Sequence, residues 1–218
     1  MKKQTILITG NLGYIGVELS KHLKKKSRSF YIIGYDTGYF LKNSINKKNP
    51  LNKNNVDLQI FSDIRKSNFK KLNKIKIDTI IHLSAISNDP MGNFFVKPTR
   101  QINTYYSKKF IDWSKKIGVK KFVFASSCSV YGFSKKVCNE NSKTNPLTEY
   151  AKSKLDIEKY LKTKTDRNFK AISLRFSTAC GASKMLRLDL VLNDFVASAL
   201  SNKNIKLLSD GNALRPLI

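Results

Sequence analysis

The sequence contains no apolar run near the roughly 18 residues that a membrane helix needs, so a membrane-spanning chain is not expected. The N-terminal Met1-Lys2-Lys3-Gln4 has the charge of a secretory signal. The apolar stretch behind it is only Ile6-Leu7-Ile8, too short for the core of one. Cysteine is scarce. Cys128, Cys138 and Cys180 are an odd, widely spaced set without a CxxC pair, which points to neither a disulfide framework nor a zinc site. A reducing cytoplasm is the expected compartment. Histidine is scarcer still. His22 falls on a helical pattern and reads as a surface or boundary residue, and His82 ends an apolar run and reads as a packing residue rather than a catalytic one. No Ser-His-Asp arrangement and no His/Cys cluster emerges, and no metal is expected.

Acidic residues are the largest deficit. There are 15 Asp and Glu against 41 Lys and Arg, for a formal net charge of +26. Such a balance can mark a nucleic-acid binder. Here the lysines sit in small clusters throughout, such as Lys24-Lys25-Lys26, Lys70-Lys71 and Lys135-Lys136. They form no single block and no stripe interleaved with aromatics. The charge therefore reads as a basic background, and no specific nucleic-acid partner is expected.

What the chain does have is an apolar fraction of 41%, enough for a core. Thr5–Thr9, Phe30–Ile33, Val56–Ile60, Thr79–Leu83, Lys121–Ala125 and Ala171–Leu174 read as six buried or alternating strands. Helical spacing runs from Tyr14 through Ile15, Leu19 and Leu23. Further helices are expected over 99–117 and 188–201, and one opening at Asn145-Pro146. Residues 41–55, rich in Asn and Lys, read as an exposed loop. Strands alternating with helices predict an α/β fold of the Rossmann type, a doubly wound parallel sheet.

Gly10-Asn11-Leu12-Gly13-Tyr14-Ile15-Gly16 lies between the first strand and the first helix. Glycines at these offsets permit a tight turn, close backbone approach to a pyrophosphate and close helix–strand packing, and the helix N-terminus faces the phosphates. Asp36 ends the second strand, where a carboxylate would take the adenosine ribose hydroxyls and repel a 2′-phosphate. This favours NAD over NADP. Tyr150 and Lys154 are four apart and share one helix face. A phenol is protonated at neutral pH, but cations nearby favour the phenolate, a usable general base for a sugar hydroxyl. Ser126 to Gly132 leaves the fifth strand at its C-terminal end, where ligands sit in open parallel sheets.

Together these segments resemble the extended short-chain dehydrogenase/reductase superfamily, and within it the NAD-dependent sugar-nucleotide epimerase/dehydratase family, of which UDP-glucose 4-epimerase is a type. Thr9–Gly16 resembles the TGxxGxxG loop, Asp63-Ile64-Arg65 a D-[IL]-R adenine contact, and Ile81-His82-Leu83-Ser84-Ala85 the fourth-strand HxAA segment. Asn103 matches the central-helix Asn, Ser126–Gly132 the SSxxxYG element, Tyr150 and Lys154 the YxxxK pair, and Leu174-Arg175-Phe176 the start of LRxxNxxG.

The resemblance implies catalysis by Ser127, Tyr150 and Lys154. It implies cofactor contacts from Gly10, Gly13, Tyr14, Ile15, Gly16, Asp36, Asp63, Ile64, Leu83, Ser84, Ala85 and Asn103, with Tyr150 and Lys154. Substrate contacts fall at Asn88, Ser129, Thr178, Asn193 and Arg215. The implied reaction is epimerisation of a nucleotide sugar through a keto intermediate. The dehydratase acid–base pair after the catalytic Ser/Thr is replaced by Cys128-Ser129, which disfavours loss of water, and the Asn of LRxxNxxG is replaced by Thr178. Residues 1–176 are expected to form the NAD-binding domain. Residues 177–218 are expected to begin a small substrate domain, which the chain leaves incomplete, as a truncated reading would. The resemblance allows a homodimer. An NAD-dependent keto-sugar reductase or dehydrogenase, or a cofactor-binding chain without catalysis, remains open.

Overall fold

The computed structural model describes residues 3–27, 29–45, 55–66, 69–207, 210 and 216–218. Among these residues six strands form one parallel sheet: β1 (Gln4–Thr9), β2 (Phe30–Asp36), β3 (Leu58–Phe61), β4 (Thr79–His82), β5 (Lys121–Ser127) and β6 (Lys170–Phe176). Their order across the sheet is β3-β2-β1-β4-β5-β6, with every neighbouring pair parallel. The order reverses between β1 and β4, and a doubly wound sheet opens its ligand crevice there, beyond the C-terminal strand ends.

The helices are α1 (Tyr14–Lys26), α2 (Lys70–Asn73), α3 (Asp89–Phe94), α4 (Val96–Thr99), α5 (Ser107–Lys116), α6 (Glu149–Lys164) and α7 (Val191–Asn202). The central strands are buried on both faces, which is why they read as continuous aliphatic runs. On one face, Leu19 and Leu23 of α1 pack with Ile6, Ile8 and Ile32. On the other, Phe110 and Ile111 of α5 and Ile157 and Leu161 of α6 pack with Leu7, Ile33, Ile80 and Phe122. Among the described residues no helix is long and apolar enough to cross a membrane.

Four expectations need correction. First, the stretch 99–117 is not one regular helix. Arg100–Tyr106 is π-helical and joins α4 to α5. Second, Asn145-Pro146 does not open α6. The Asn145 N–H is taken by the Val130 carbonyl, and Thr148 caps the helix instead, its hydroxyl accepting from the Ala151 N–H at 3.1 Å. Third, β3 starts at Leu58 rather than Val56. The Asp57 N–H donates to the Ile32 carbonyl at 2.8 Å, while its carboxylate rather than a backbone carbonyl accepts the Ile32 N–H at 2.7 Å. Fourth, the loop after Leu41 is not wholly exposed. Ser44 is buried and the Ile45 N–H reaches the Lys184 carbonyl at 3.0 Å. Residues 46–54 of that loop lie outside the described residues.

Candidate active site

The glycine turn is built by crowding. Gly10 has φ +73°, and a Cβ there would stand 2.8 Å from the Ser84 backbone nitrogen. A Cβ on Gly16 would stand 2.2 Å from the Gly10 carbonyl oxygen. The helix α1 therefore enters directly against the turn, and only glycine permits it. Gly13 is the N-cap of α1 and offers no side-chain cap, so the first-turn N–H groups are left for another acceptor. Sequence reading missed Asn11. It is buried over Gly34 and donates to the Gln59 side chain at 2.7 Å, tying the turn to β3.

Asp36 closes the same end of the cleft. Its carboxylate accepts the Leu12 N–H at 3.3 Å and the Gly38 N–H at 2.8 Å. Burial pushes its pKa up, against the pull of these N–H groups. Asp63 faces Arg65, which donates to both oxygens at 2.6 to 3.1 Å. Burial raises the Asp63 pKa, but the Arg65 hydrogen bonds and charge outweigh it and hold the carboxyl below its usual range. Ile64 beside it is buried.

The segment after β4 lies on the glycine turn. The Leu83 N–H donates to the Thr9 carbonyl, and the Ser84 N–H approaches the Thr9 hydroxyl at 3.3 Å. Ala85 follows, and Ile86 is held at both its N–H and C=O by the Asn103 amide, each bond 2.9 Å. Asn103 also donates to the Ser153 hydroxyl. It thus stands beneath the cleft as a spacer between the π-helical stretch, the β4 loop and α6. His82 is buried, between the Thr9 and Ser107 hydroxyls at 2.7 and 3.0 Å. Ser107 donates to the Ile102 carbonyl, so its oxygen accepts from Nε2–H and Nδ1 accepts from Thr9. Burial first, and the Lys154 charge second, push His82 down to about 3. It is a neutral packing residue, as its sequence position suggested.

Ser127, Tyr150 and Lys154 come together where β5 meets α6. The Ser127 hydroxyl caps the 3-10 turn Cys128–Tyr131, accepting the Ser129 N–H and donating to the Ser129 hydroxyl, each at 3.2 Å, and it lies close enough to the Tyr150 phenol to lower its pKa. Lys154 is buried and donates to the Ala125 carbonyl at 2.6 Å, with its ammonium 5.4 Å from the Tyr150 ring centroid. Burial pushes Lys154 down to about 7. Burial also pushes Tyr150 up to about 12, with Ser127 and Arg187 lowering it and Asp89 and Cys128 raising it. Gly92 lets α3 press onto this tyrosine: a Cβ there would stand 2.8 Å from the Tyr150 Cβ.

Two acids and a base beside this trio escaped sequence reasoning. Asp89 accepts from the Thr148 hydroxyl and, at 3.5 Å, from Ser129. Arg187 forks onto Asp189 at 2.5 and 3.0 Å and donates to Ser87 at 2.9 Å, while Asn88 donates to Asp189 at 2.7 Å. The 87–88 loop is thereby latched to the segment before α7. Their sequence signals are the Ser87-Asn88-Asp89-Pro90 run and the Leu-Asp-Leu-Val-Leu-Asn stretch at 188–193, which holds Asp189.

Of the expected substrate residues, Ser129 bonds Ser127, and Asn88 caps α3, the helix pressed onto Tyr150. Asn193 is buried and committed: it accepts the Gly181 N–H and donates to the Tyr14 hydroxyl and the Arg187 carbonyl. Tyr14 in turn donates to the Gly181 carbonyl, so the segment before α7 covers the glycine turn. Ile15, in the first turn of α1, is partly exposed. Thr178 forms a parallel bridge with Leu217. Arg215 lies outside the described residues. The three cysteines form no disulfide, and no metal-binding group of His, Cys, Asp and Glu occurs among the described residues.

Comparison with known proteins agrees with this fold. The chain is 29% identical over 218 residues to the uncharacterized UDP-glucose epimerase YtcB of Bacillus subtilis, covering 96% of this chain and 67% of that protein. It is 28% identical over 191 residues to UDP-glucose 4-epimerase 2 of Arabidopsis thaliana, covering 82% of this chain and 53% of that one. The crystal structure of UDP-glucuronic acid 4-epimerase from Bacillus cereus, in complex with UDP-glucuronic acid and NAD, superposes with a TM-score of 0.84 at 25% identity, over 98% of this chain and 68% of that one. The chain thus spans between about half and two thirds of the proteins it resembles. A model of the NAD dependent epimerase/dehydratase family matches residues 6–218, nearly the whole sequence, and the chain belongs to that family.

Proposed function

We propose that the chain carries the chemistry of a nucleotide-sugar epimerase that works through a keto intermediate, with Tyr150 as the base. The family is one of NAD-dependent enzymes. The residues present fit that cofactor. The Gly10–Gly16 turn is a cradle that a Cβ would fill, and the Asp36 carboxylate stands within 3.3 Å of its Leu12 N–H. Gly10, Gly13, Tyr14, Ile15 and Gly16 would hold the pyrophosphate, Asp36 the adenosine ribose, and Asp63 with Ile64 the adenine. Leu83, Ser84 and Ala85 would line the inner wall, kept in place by Asn103. Bound NAD supplies a reversible acceptor for hydride.

The observation that carries the proposal is the convergence of Ser127, Tyr150 and Lys154 at the C-terminal end of β5. The Tyr150 phenolate takes the proton of a sugar hydroxyl, and Ser127 hydrogen-bonds the same oxygen. Lys154 holds the nicotinamide ribose and adds positive charge when protonated. Epimerisation requires the proton to return to the oxygen after the keto sugar has presented its other face. Dehydration is disfavoured, since Cys128-Ser129 supply no carboxyl pair. We assign residues 1–176 to cofactor binding. Residues 177–218 contribute substrate contacts through Thr178, Asn193 and Arg215, joined by Asn88 and Ser129 from the first segment.

The test is to incubate the protein with NAD and either UDP-glucose or UDP-glucuronic acid and follow the anomeric proton signals by NMR. Interconversion of two epimers without net NADH, lost in Tyr150→Phe, supports the proposal. Net NADH formation indicates a dehydrogenase instead, and equal turnover by Tyr150→Phe refutes the role of the tyrosine.

A further inference from the structure

Tyr150 and Lys154 are the first two members of a longer stripe. The next residue on that face of α6, four further on, is Glu158. Its side chain is only 10% exposed, and that of its partner Arg175, on β6, 20%. A charge pair so far removed from water costs more than it returns unless its lone pairs are filled. Here they are. Arg175 donates to Glu158 three times, at 3.0, 3.1 and 2.7 Å, and the Ser126 hydroxyl donates a fourth bond. The remaining arm of Arg175 donates to the Tyr131 hydroxyl at 3.0 Å, and the guanidinium lies 4.9 Å from the Tyr131 ring centroid.

The two ends of this network have a specific placement. Ser126 immediately precedes Ser127. Tyr131 ends the 3-10 turn that Ser127 caps. The pair therefore grips the turn on both sides of Ser127 and anchors it to the helix that carries Tyr150. We propose that Glu158 and Arg175 are positioning residues, a clamp that sets the Ser127 hydroxyl against the Tyr150 phenol. They touch neither reacting group directly. The kinetic part of this inference rests on the proposed epimerase reading.

The test uses Arg175→Lys, which keeps the charge but not the fork, Glu158→Gln, which keeps the shape, and Tyr131→Phe, which removes one hydroxyl. NAD affinity, kcat and KM are measured for each, together with hydrogen exchange at the Ser129, Gly132 and Asn145 amides, all bonded within or onto the turn. A misplacement of the hydroxyls lowers kcat by about 10- to 100-fold in Arg175→Lys and Glu158→Gln, with KM and NAD affinity held within about threefold. The three amides exchange faster. Tyr131→Phe follows the same pattern with a smaller drop. Unchanged kcat overturns the clamp. So does a joint loss of kcat, KM, NAD affinity and melting temperature, which marks general destabilisation. If the unaltered chain turns over no nucleotide sugar, the epimerase reading fails and the clamp is judged on exchange alone. Faster exchange confined to the turn then supports it, and unchanged exchange overturns it.

Discussion

Adding one methyl group at Gly16 separates packing from cofactor binding. The added Cβ would stand 2.2 Å from the Gly10 carbonyl oxygen and 2.6 and 2.8 Å from two backbone atoms of Asn11. Contacts to a Cβ do not fall below 3.0 Å, so turn and helix must part by about 0.8 Å. The turn has little room to yield. Gly10 N–H is fixed on the Tyr35 carbonyl at 2.9 Å, and the Ser84 backbone stands behind Gly10. Overpacking of this kind costs about 1–3 kcal/mol. For a chain of this size that is a fall in melting temperature of about 2–12 °C. The displaced N–H groups lose part of their grip on a diphosphate, a loss of about 1.5–3 kcal/mol or roughly 10- to 150-fold in NAD affinity.

Gly13→Ala is the control. Its Cβ meets only the Gly10 oxygen, at 3.3 Å, and its backbone lies in the extended region that alanine adopts. Its melting temperature is expected to stay near that of the parent, while NAD binding weakens because the methyl stands where backbone approaches the pyrophosphate. The assays are thermal melts without ligand and calorimetric titration with NAD. A Gly16→Ala protein that melts and binds NAD like the parent refutes the crowding argument.

Further expectations follow from the charges. Asp36→Asn removes the carboxylate that repels a 2′-phosphate, so the ratio of NADP to NAD affinity rises, by calorimetry with both dinucleotides. Asp89 raises the Tyr150 pKa, so Asp89→Asn, which can still accept from Thr148, moves the acid limb of the kcat–pH profile to lower pH. Lys154 is held at about 7 in the folded chain against an unfolded value near 10.5. The unfolded chain binds the extra proton between those values. The cost of burying the ammonium is thus fully present below pH 7 and is relieved as pH rises, so stability gains from Lys154 between pH 7 and 9. Lys154→Met flattens that rise in chemical denaturation.

The parts of this structure visible in the sequence are those that local chemistry dictates. Glycine spacing marks the turn because Gly10 and Gly16 meet within one loop, and four-residue spacing puts Tyr150 and Lys154 on one face. The parts that stayed hidden depend on distant partners. Thr148, not Asn145, caps α6, and the Asn145 N–H instead bonds Val130, 15 positions away. Asp89 reaches the site through Thr148, 59 positions away, and Arg187 reaches Ser87 across 100. The π-helical stretch leaves no mark in composition, yet it carries the Asn103 amide that holds Ile86. The +26 charge, loudest in the sequence, contributes only a few of its members to the site.

Ionisation of Tyr150 tests the central claim most directly. The absorbance of phenolate is followed through a pH titration as the difference between the parent and Tyr150→Phe, with and without NAD. In the free chain, with the phenol pushed up to about 12, no Tyr150 phenolate forms below pH 10. A cation brought within a few ångströms lowers such a pKa by about one to three units, so NAD should draw a Tyr150-specific phenolate signal below pH 10. A phenol that titrates identically with and without NAD would contradict Tyr150 as the base.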